Sequence, residues 1–331
     1  MRTFAAAITL GAASAIDVDV MSLKYMNYMA KFGKNMEDLG EFSKRLSNFS
    51  KLDKFIEEEN AQGHSFTLGH NQFSDWSKTE YSNMLGYKAE PLPEDQHFET
   101  FDESSNGDNV NWIKAGAVTN IKDQGNCGSC WAFSTTGAME GINFINFGWI
   151  VPFSEQQLVS CSKSNHACSG GGAYRAFEYY KSSKVVFESV YPYTSGNGQV
   201  AACAYDEGWA TQIKVNGISF VEPNNVSQLK AALAKQPIAV AIDAGQSVFQ
   251  SYASGILDSA SCGTSLNHGV LLVGWGYDDY LGKDFWLVKN SWSTNWGDNG
   301  YFRLGIQEGK GICGIQMQPI TVSSYDSSAF D

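Results

Sequence analysis

Between residues 41 and 60 the chain repeats at a helical interval. Glu41, Arg45, Phe49, Leu52, Ile56 and Asn60 are separated by 4, 4, 3, 4 and 4 positions, which stacks all six on one face of an α-helix. Glu41 and Arg45 stand at i,i+4 on that face, the spacing of a helical ion pair. A second helix is predicted from Cys130 to about Phe147, with Trp131, Ala138, Ile142 and Ile145 sharing a face and Gly148 as its stop. Farther on, the pattern changes to short unbroken apolar runs at residues 238–242, 269–273 and 285–288, with the length and composition of buried strands. Helices first and strands later predict an α+β protein with two subdomains.

Composition divides the 331 residues into segments. Residues 1–15 read as a signal peptide: Arg2 is the positive n-region, residues 4–13 are apolar, and Ala13-Ser14-Ala15 offers small residues for cleavage. That run is too short to span a bilayer, and no later stretch approaches the required length. Residues 16 to about 88 are charged, cysteine-free and helical in pattern. Residues 89–108, with Pro91, Pro93 and Ser104-Ser105-Asn106-Gly107, read as an exposed, cleavable linker. The remainder holds all seven cysteines and every tryptophan except Trp76.

A net charge of −12 argues against a nucleic-acid binder. Seven cysteines in a secreted chain imply three disulfides and one free thiol. Six cysteines can pair in fifteen ways, and spacing alone does not choose among them.

The candidate chemistry centres on Gln124-Gly-Asn-Cys127-Gly128-Ser129-Cys130-Trp131. A cysteine opening a helix feels the positive end of the dipole, which favours the thiolate, and a histidine partner favours it further. Gly128 leaves room for a substrate backbone. The Gln124 amide and the Cys130 N–H are candidate oxyanion donors. A zinc site would need two further ligands at matching spacing, and Cys161 with Cys168 match poorly. A redox Cys-x-x-Cys would need a short βαβ setting, which is absent. Of the five histidines, His64, His70, His97 and His166 read as surface or hydrogen-bonded structural residues. His268 opens a strand-like run about 140 residues after the cysteine. Asn290 can accept from its imidazole, and Trp292 can shield that bond from water.

With these residues in place the sequence resembles the papain and cathepsin L cysteine proteases. Cys127-Gly-Ser-Cys130-Trp131 is their signature. The resemblance also covers Trp112, Gly116-Ala-Val-Thr119, Ser154-Glu-Gln-Gln-Leu158, Tyr191-Pro-Tyr193 and Trp296-Gly297. Upstream, the helical face fits the family propeptide pattern with Leu52 in place of an Asn, and Gly69-x-Asn71-x-Phe73-x-Asp75 matches its second motif in full.

The resemblance implies a helical subdomain and a β-barrel-like one, with Cys130 and His268 on opposite walls of the cleft between them. It implies a signal peptide at 1–15, an inhibitory propeptide at 16–105 and a peptidase domain at 106–331. It further implies disulfides Cys127–Cys168, Cys161–Cys203 and Cys262–Cys313, no metal or cofactor, and peptide or protein substrates. The mature form is expected to be a monomer from a lysosome, digestive vacuole or secretion. Catalytic roles fall to Cys130, His268, Asn290 and Gln124. Substrate contacts fall to Gly128, Gly170, Gly171, Trp292 and Trp296, with an S2 pocket formed by Gly172, Ala173, Ala241, Asn267 and Gln318. Small Gly172 and neutral Gln318 imply apolar, bulky P2 residues over Arg. No insertion resembles the occluding loop of cathepsin B, so endopeptidase action is expected. Asn48 and Asn225 fit the N-glycosylation pattern. His70 is expected to gain charge near pH 6.5 and loosen the propeptide. A non-catalytic binding protein on the same scaffold, an inhibitor acting through the upstream segment, and a transpeptidase are the competing readings.

Overall fold

The computed structural model describes residues 19–89 and 96–324, excepting the side chain of Ser105. The signal-peptide reading and Pro91 and Pro93 lie outside them. The described upstream segment, residues 19–89, forms a cap. Helix α1 (Val20–Phe32) starts at Asp19, whose carboxylate accepts the Met21 and Ser22 amides, and stops at left-handed Gly33. Helix α2 (Leu39–Asn60) follows, then strand β1 (Phe66–Leu68) and helix α3 (Lys78–Met84), which opens with a Ser77/Glu80 capping box.

The helical face read from sequence is the face that packs. Phe49 is buried against Tyr25 and Tyr28, and Ile56 is buried while Leu52 is partly so. Arg45 lies 3.5 Å from Glu41 and grips Glu80 with both guanidinium nitrogens, at 2.7 and 3.1 Å. The second motif reaches across to the rest of the protein. Gly69 N–H donates to Ser251 O at 2.8 Å, Asn71 Nδ2 donates to Gln250 O at 2.7 Å, and Phe73 packs edge-on against Trp292. Buried Asp75 accepts from Tyr25, Tyr28 and Lys34 at 3.1–3.2 Å.

Two short strands, β2 (Phe98–Glu99) and β3 (Val110–Asn111), lead to α4 (Trp112–Ala115). The helical half comprises α5 (Cys130–Phe147), α6 (Glu155–Cys161) and α7 (Ala173–Ser182). After it come β4 (Val215–Val221), α8 (Val226–Leu233), β5 (Ile238–Ile242), α9 (Ser247–Gln250) and β6 (Tyr252–Leu257). Strands β7 (His268–Asp278), β8 (Lys283–Lys289), β9 (Tyr301–Gly305) and β10 (Ile320–Ser324) complete the chain. The strands order as β1-β6-β9-β8-β7-β5-β10-β4-β2, with β3 against β7, so cap strand β1 extends one edge. One core gathers around α5–α7 and the other inside the sheet; the cap's Phe73, Tyr81 and Met84 belong to the second.

Two expectations change. Helix α5 is buried on all sides from Cys130 to Asn143, because the sheet and α6–α7 enclose it; Ile145, expected on the buried face, is 38% exposed in the protruding last turn. The described part of the segment read as an exposed linker is largely exposed, as expected, but it is pinned at two places: β2 pairs with β4, and Phe101 is buried. Its local composition signals a loop, whereas the docking depends on β4 and α8, which lie over 100 residues away.

His70 is a half-buried ring stacked on Phe49 at 4.3 Å, with Nε2 2.8 Å from Asp53 Oδ1. Burial pushes its pKa below 6.5; Asp53 opposes this, and Lys24 and Lys31 reinforce it. Burial alone would raise the Asp53 carboxyl, but Lys24 and His70 outweigh it and hold it below its ordinary value. Both shifts have the same sign for stability. The neutral His70 contributes above its unfolded value of 6.5 and is lost as pH falls through its lowered folded value. The Asp53 contribution goes at still lower pH. Replacing His70 with Leu is therefore expected to flatten the pH dependence of cap release just below pH 6.5, read as the onset of peptidase activity in pH-jump experiments; an unchanged slope would remove His70 from the acid response.

Candidate active site

Cys130 is the free cysteine, and it is buried at the first position of α5. The other six join as Cys127–Cys168, Cys161–Cys203 and Cys262–Cys313, the pairs that the resemblance implies. The first of them ties the turn leading into α5 to the loop that carries Gly170 and Gly171. The thiol sulfur accepts Gly269 N–H at 3.3 Å and faces the backbone N–H groups of Cys130 and Trp131 at the helix start.

His268 opens β7, one residue before that Gly269 contact. Its Nε2 lies 2.7 Å from Asn290 Oδ1. An amide oxygen can only accept, so Nε2 carries the proton, and Nδ1 is left with a lone pair. Nδ1 is buried and has no hydrogen-bond partner among the described residues. Trp292 stacks on the imidazole at 4.5 Å and shields the His268–Asn290 bond. Gln124 fixes Trp292 in turn: its Oε1 accepts from Trp292 Nε1 at 3.1 Å and from Ser291 Oγ at 2.8 Å. Its Nε2 is thereby aimed at the Cys127 carbonyl, 2.8 Å away, and at the Met84 carbonyl of the cap, 3.0 Å away.

Cap residues 84–88 fill the cleft. Gly86 offers its N–H to the Cys130 sulfur, and its carbonyl accepts Gly171 N–H at 2.8 Å. Lys88 N–H returns to Gly171 O at 2.9 Å, and Tyr87 N–H donates to Asn267 O at 2.9 Å. The Tyr87 side chain packs with Cys130, Ala241 and Leu266, and its hydroxyl lies 2.6 Å from Gln318 Oε1. Ala241 and Gln318 thus share one pocket. Gly172 lies beside the Lys88 carbonyl.

One expected site acts through its main chain, and two others sit away from the cleft. Asn267 serves the cleft through its main-chain carbonyl, since its side chain is turned to Asp243 and Ala244 N–H. Ala173 is buried in the core of the helical half. Trp296 is enclosed by Phe249, Tyr252 and Phe302 and backs Trp292 at 5.0 Å. Gly86, Tyr87 and Leu266 were not singled out from the sequence. The only local sign was a glycine between Leu85 and Tyr87, shortly after the second propeptide motif. The glycosylation candidates both use their amide nitrogens: Asn48 donates to Asp75 O, and Asn225, which caps α8, donates to Glu222.

Under the cap, burial pushes the Cys130 thiol up to about 11 and His268 down to about 4. The four surrounding N–H groups and the Asn290 bond only partly oppose these shifts. Burial under the cap thus favours the neutral thiol and the neutral imidazole over the ion pair.

A buried thiol at a helix start, an oriented histidine and a self-supplied peptide across both define a thiol hydrolase held in check by its own chain. The sequence profile described as "Papain family cysteine protease" matches residues 106–323, and "Cathepsin propeptide inhibitor domain (I29)" matches residues 25–81. The chain belongs to the papain family of cysteine proteases, in its zymogen form. "Probable cysteine protease RD21B" of Arabidopsis thaliana is 41% identical over 305 residues, covering 89% of this chain but only 65% of that protein's length. "Probable cysteine protease RDL5" of the same organism is 38% identical, covering 90% of this chain and 81% of its own. Among solved structures, "Recombinant stem bromelain precursor" superposes with a TM-score of 0.83 at 35% identity, over 92% of this chain and 99% of that one. The digestive procathepsin L 3 of the Tenebrio molitor larval midgut gives 0.81 at 32% identity, over 92% and 99%.

A Cβ on Gly86 would stand 1.8 Å from the Gly128 carbonyl oxygen, closer than any real contact. Gly86→Ala is expected to lift the cap from the thiol while sparing the peptidase domain. The precursor should then hydrolyse a small peptide substrate at neutral pH faster than the unaltered precursor; equal rates would mean that Gly86 is not the point of closest approach.

Proposed function

We propose that this zymogen matures into an endopeptidase in which Cys130 is the nucleophile, His268 the acid–base, Asn290 its orienting partner and Gln124 an oxyanion donor. The observation that carries this reading is the cap itself. A peptide already lies in the cleft, held by Gln124, Gly171 and Asn267, the groups that would hold a substrate. With the cap gone and solvent admitted, His268 Nδ1 takes the thiol proton. The sulfur attacks the scissile carbonyl carbon, and the oxyanion rests on Gln124 Nε2–H and Cys130 N–H. His268 returns the proton to the leaving amine. It then deprotonates a water that hydrolyses the thioester and restores the thiol. Gly128, Gly170 and Gly171 receive the extended backbone as an added strand.

The disulfides favour an oxidising compartment, which supports residues 1–15 as a secretion signal and delivery to a lysosome, digestive vacuole or the exterior. Asn225 is the better glycan acceptor of the two, since Asn48 is tied into the cap.

The direct test is labelling with an epoxide thiol inhibitor before and after acid treatment, followed by peptide mapping. Label is expected on Cys130 only after acid. Label on another residue, or none on an active sample, would overturn the assignment.

The pocket holding Tyr87 is walled by Ala241 and Leu266 and ends in the neutral oxygen of Gln318. In a P2 panel, Tyr, Phe and Leu are expected to exceed Arg in kcat/KM by about tenfold or more; a preference for Arg would refute this pocket assignment.

A further inference from the structure

We propose that Asp243, a buried carboxylate outside the catalytic set, is a positioning residue for substrate. It sets the loop between Cys262 and His268, which carries both a pocket wall and a main-chain acceptor for the bound peptide. The inference rests on the endopeptidase reading, since the groups it sets are those proposed to hold substrate.

Asp243 directly follows β5 and is 2% exposed. Burying a carboxylate is costly unless donors surround it. Here the donors come from two stretches of chain. Gly245 N–H, in the turn that Asp243 opens, donates to Oδ1 at 3.1 Å. From the loop, Ser265 N–H donates to Oδ2 at 2.9 Å and Asn267 Nδ2 to Oδ1 at 3.1 Å. Gly263 marks how closely the loop approaches: its φ is +78°, and a Cβ there would overlap Asp243 Oδ2.

The loop depends on such an anchor. Residues 263–267 belong to no helix or strand. The Cys262–Cys313 disulfide holds one end, and β7 begins at the other. Leu266 packs on the cluster of Tyr87, Cys130 and Ala241, and the Asn267 carbonyl accepts Tyr87 N–H at 2.9 Å. The Asn267 amide is used on both sides: Nδ2 goes to Asp243, and Oδ1 accepts Ala244 N–H at 2.8 Å. Its backbone N–H goes to Ile242 O at 2.9 Å. The carbonyl is what remains for a bound peptide. His268 is held separately, by Asn290 and by pairing with Ile242 of β5. Loosening the loop therefore weakens peptide binding and spares the reactivity of the thiol.

The test is a hydrogen-bond swap, read on acid-matured enzyme whose active sites are titrated with an epoxide thiol inhibitor. Asp243→Asn keeps the shape but sets an NH2 against Ser265 N–H or Asn267 Nδ2, so one bond is lost. It is expected to raise KM for a peptide with Phe at P2 about tenfold, with kcat and the rate of Cys130 alkylation by iodoacetamide within about twofold. Asn267→Asp sets two carboxylates against each other and should raise KM likewise. In the double variant the new amide at 243 donates to the new carboxylate at 267, and its oxygen still accepts Ser265 N–H. Most of the lost binding is expected to return. An unchanged KM in Asp243→Asn, a fall of kcat and alkylation in step with the rise in KM, or a double variant no better than the single ones overturns the proposal. If the single variants give no titratable enzyme, its return in the double variant supports the pairing, and its absence overturns it. Unaltered enzyme that is active without label on Cys130 would overturn the endopeptidase assignment, and this proposal with it.

Discussion

A peptide laid over a nucleophile is cut or spared according to which atom faces the sulfur. Here that atom is the Gly86 amide N–H, while the Gly86 carbonyl is turned away to Gly171. An N–H offers no electrophilic carbon. It lowers the thiol's pKa without presenting anything to attack, so the peptide that covers the nucleophile stays intact. Everything upstream serves this placement. The Arg45–Glu80 grip sets α3, and α3 delivers Met84 to Gln124. The Tyr87 phenol in its pocket then fixes the direction of the chain on the far side of the thiol.

The cap also makes use of the enzyme's own bracing. Trp292 holds the imidazole, Trp296 backs Trp292, and Gln124 ties Trp292 to the oxyanion side. Phe73 closes over the outer edge of Trp292, and Gln72 Nε2 donates to the Trp292 carbonyl at 2.7 Å. Closing the site this way removes water from both partners of the thiol–imidazole pair, which favours the uncharged forms. The same residues that will orient the base in the working enzyme are those the cap buries while it is silent.

Much of this was legible in the sequence, for reasons that differ by element. The 41–60 helix was readable because one face repeats at the helical period, β5 and β7 because they are buried on both faces, and β8 because its half-buried face is also apolar at 285 and 287. The nucleophile was readable because its neighbours at 124–131 are contiguous. Asn267 was placed at the cleft but not its mode of contact, because residue type says nothing of whether a side chain or a carbonyl faces the cleft; Asp243, just past β5, decides that. Ile145 misled because periodicity cannot see where an enclosed helix emerges. Tyr87 and the segment around Phe101 were out of reach, since each is specified mostly by partners far away in sequence, Gln318 and Asn267 for the one and Gln228 for the other.

No cysteine precedes residue 127, so every disulfide lies within the peptidase and none fastens the cap. Before scission the cap's local concentration is set by its tether, on the order of millimolar or more for a short connection. After a single cut it becomes an ordinary ligand at whatever concentration the compartment provides. Inhibition then passes from chain architecture to mass action: dilution completes activation, while crowding of freed caps in a small vesicle opposes it. The volume of the compartment becomes a control on the enzyme, with no further change in the protein itself.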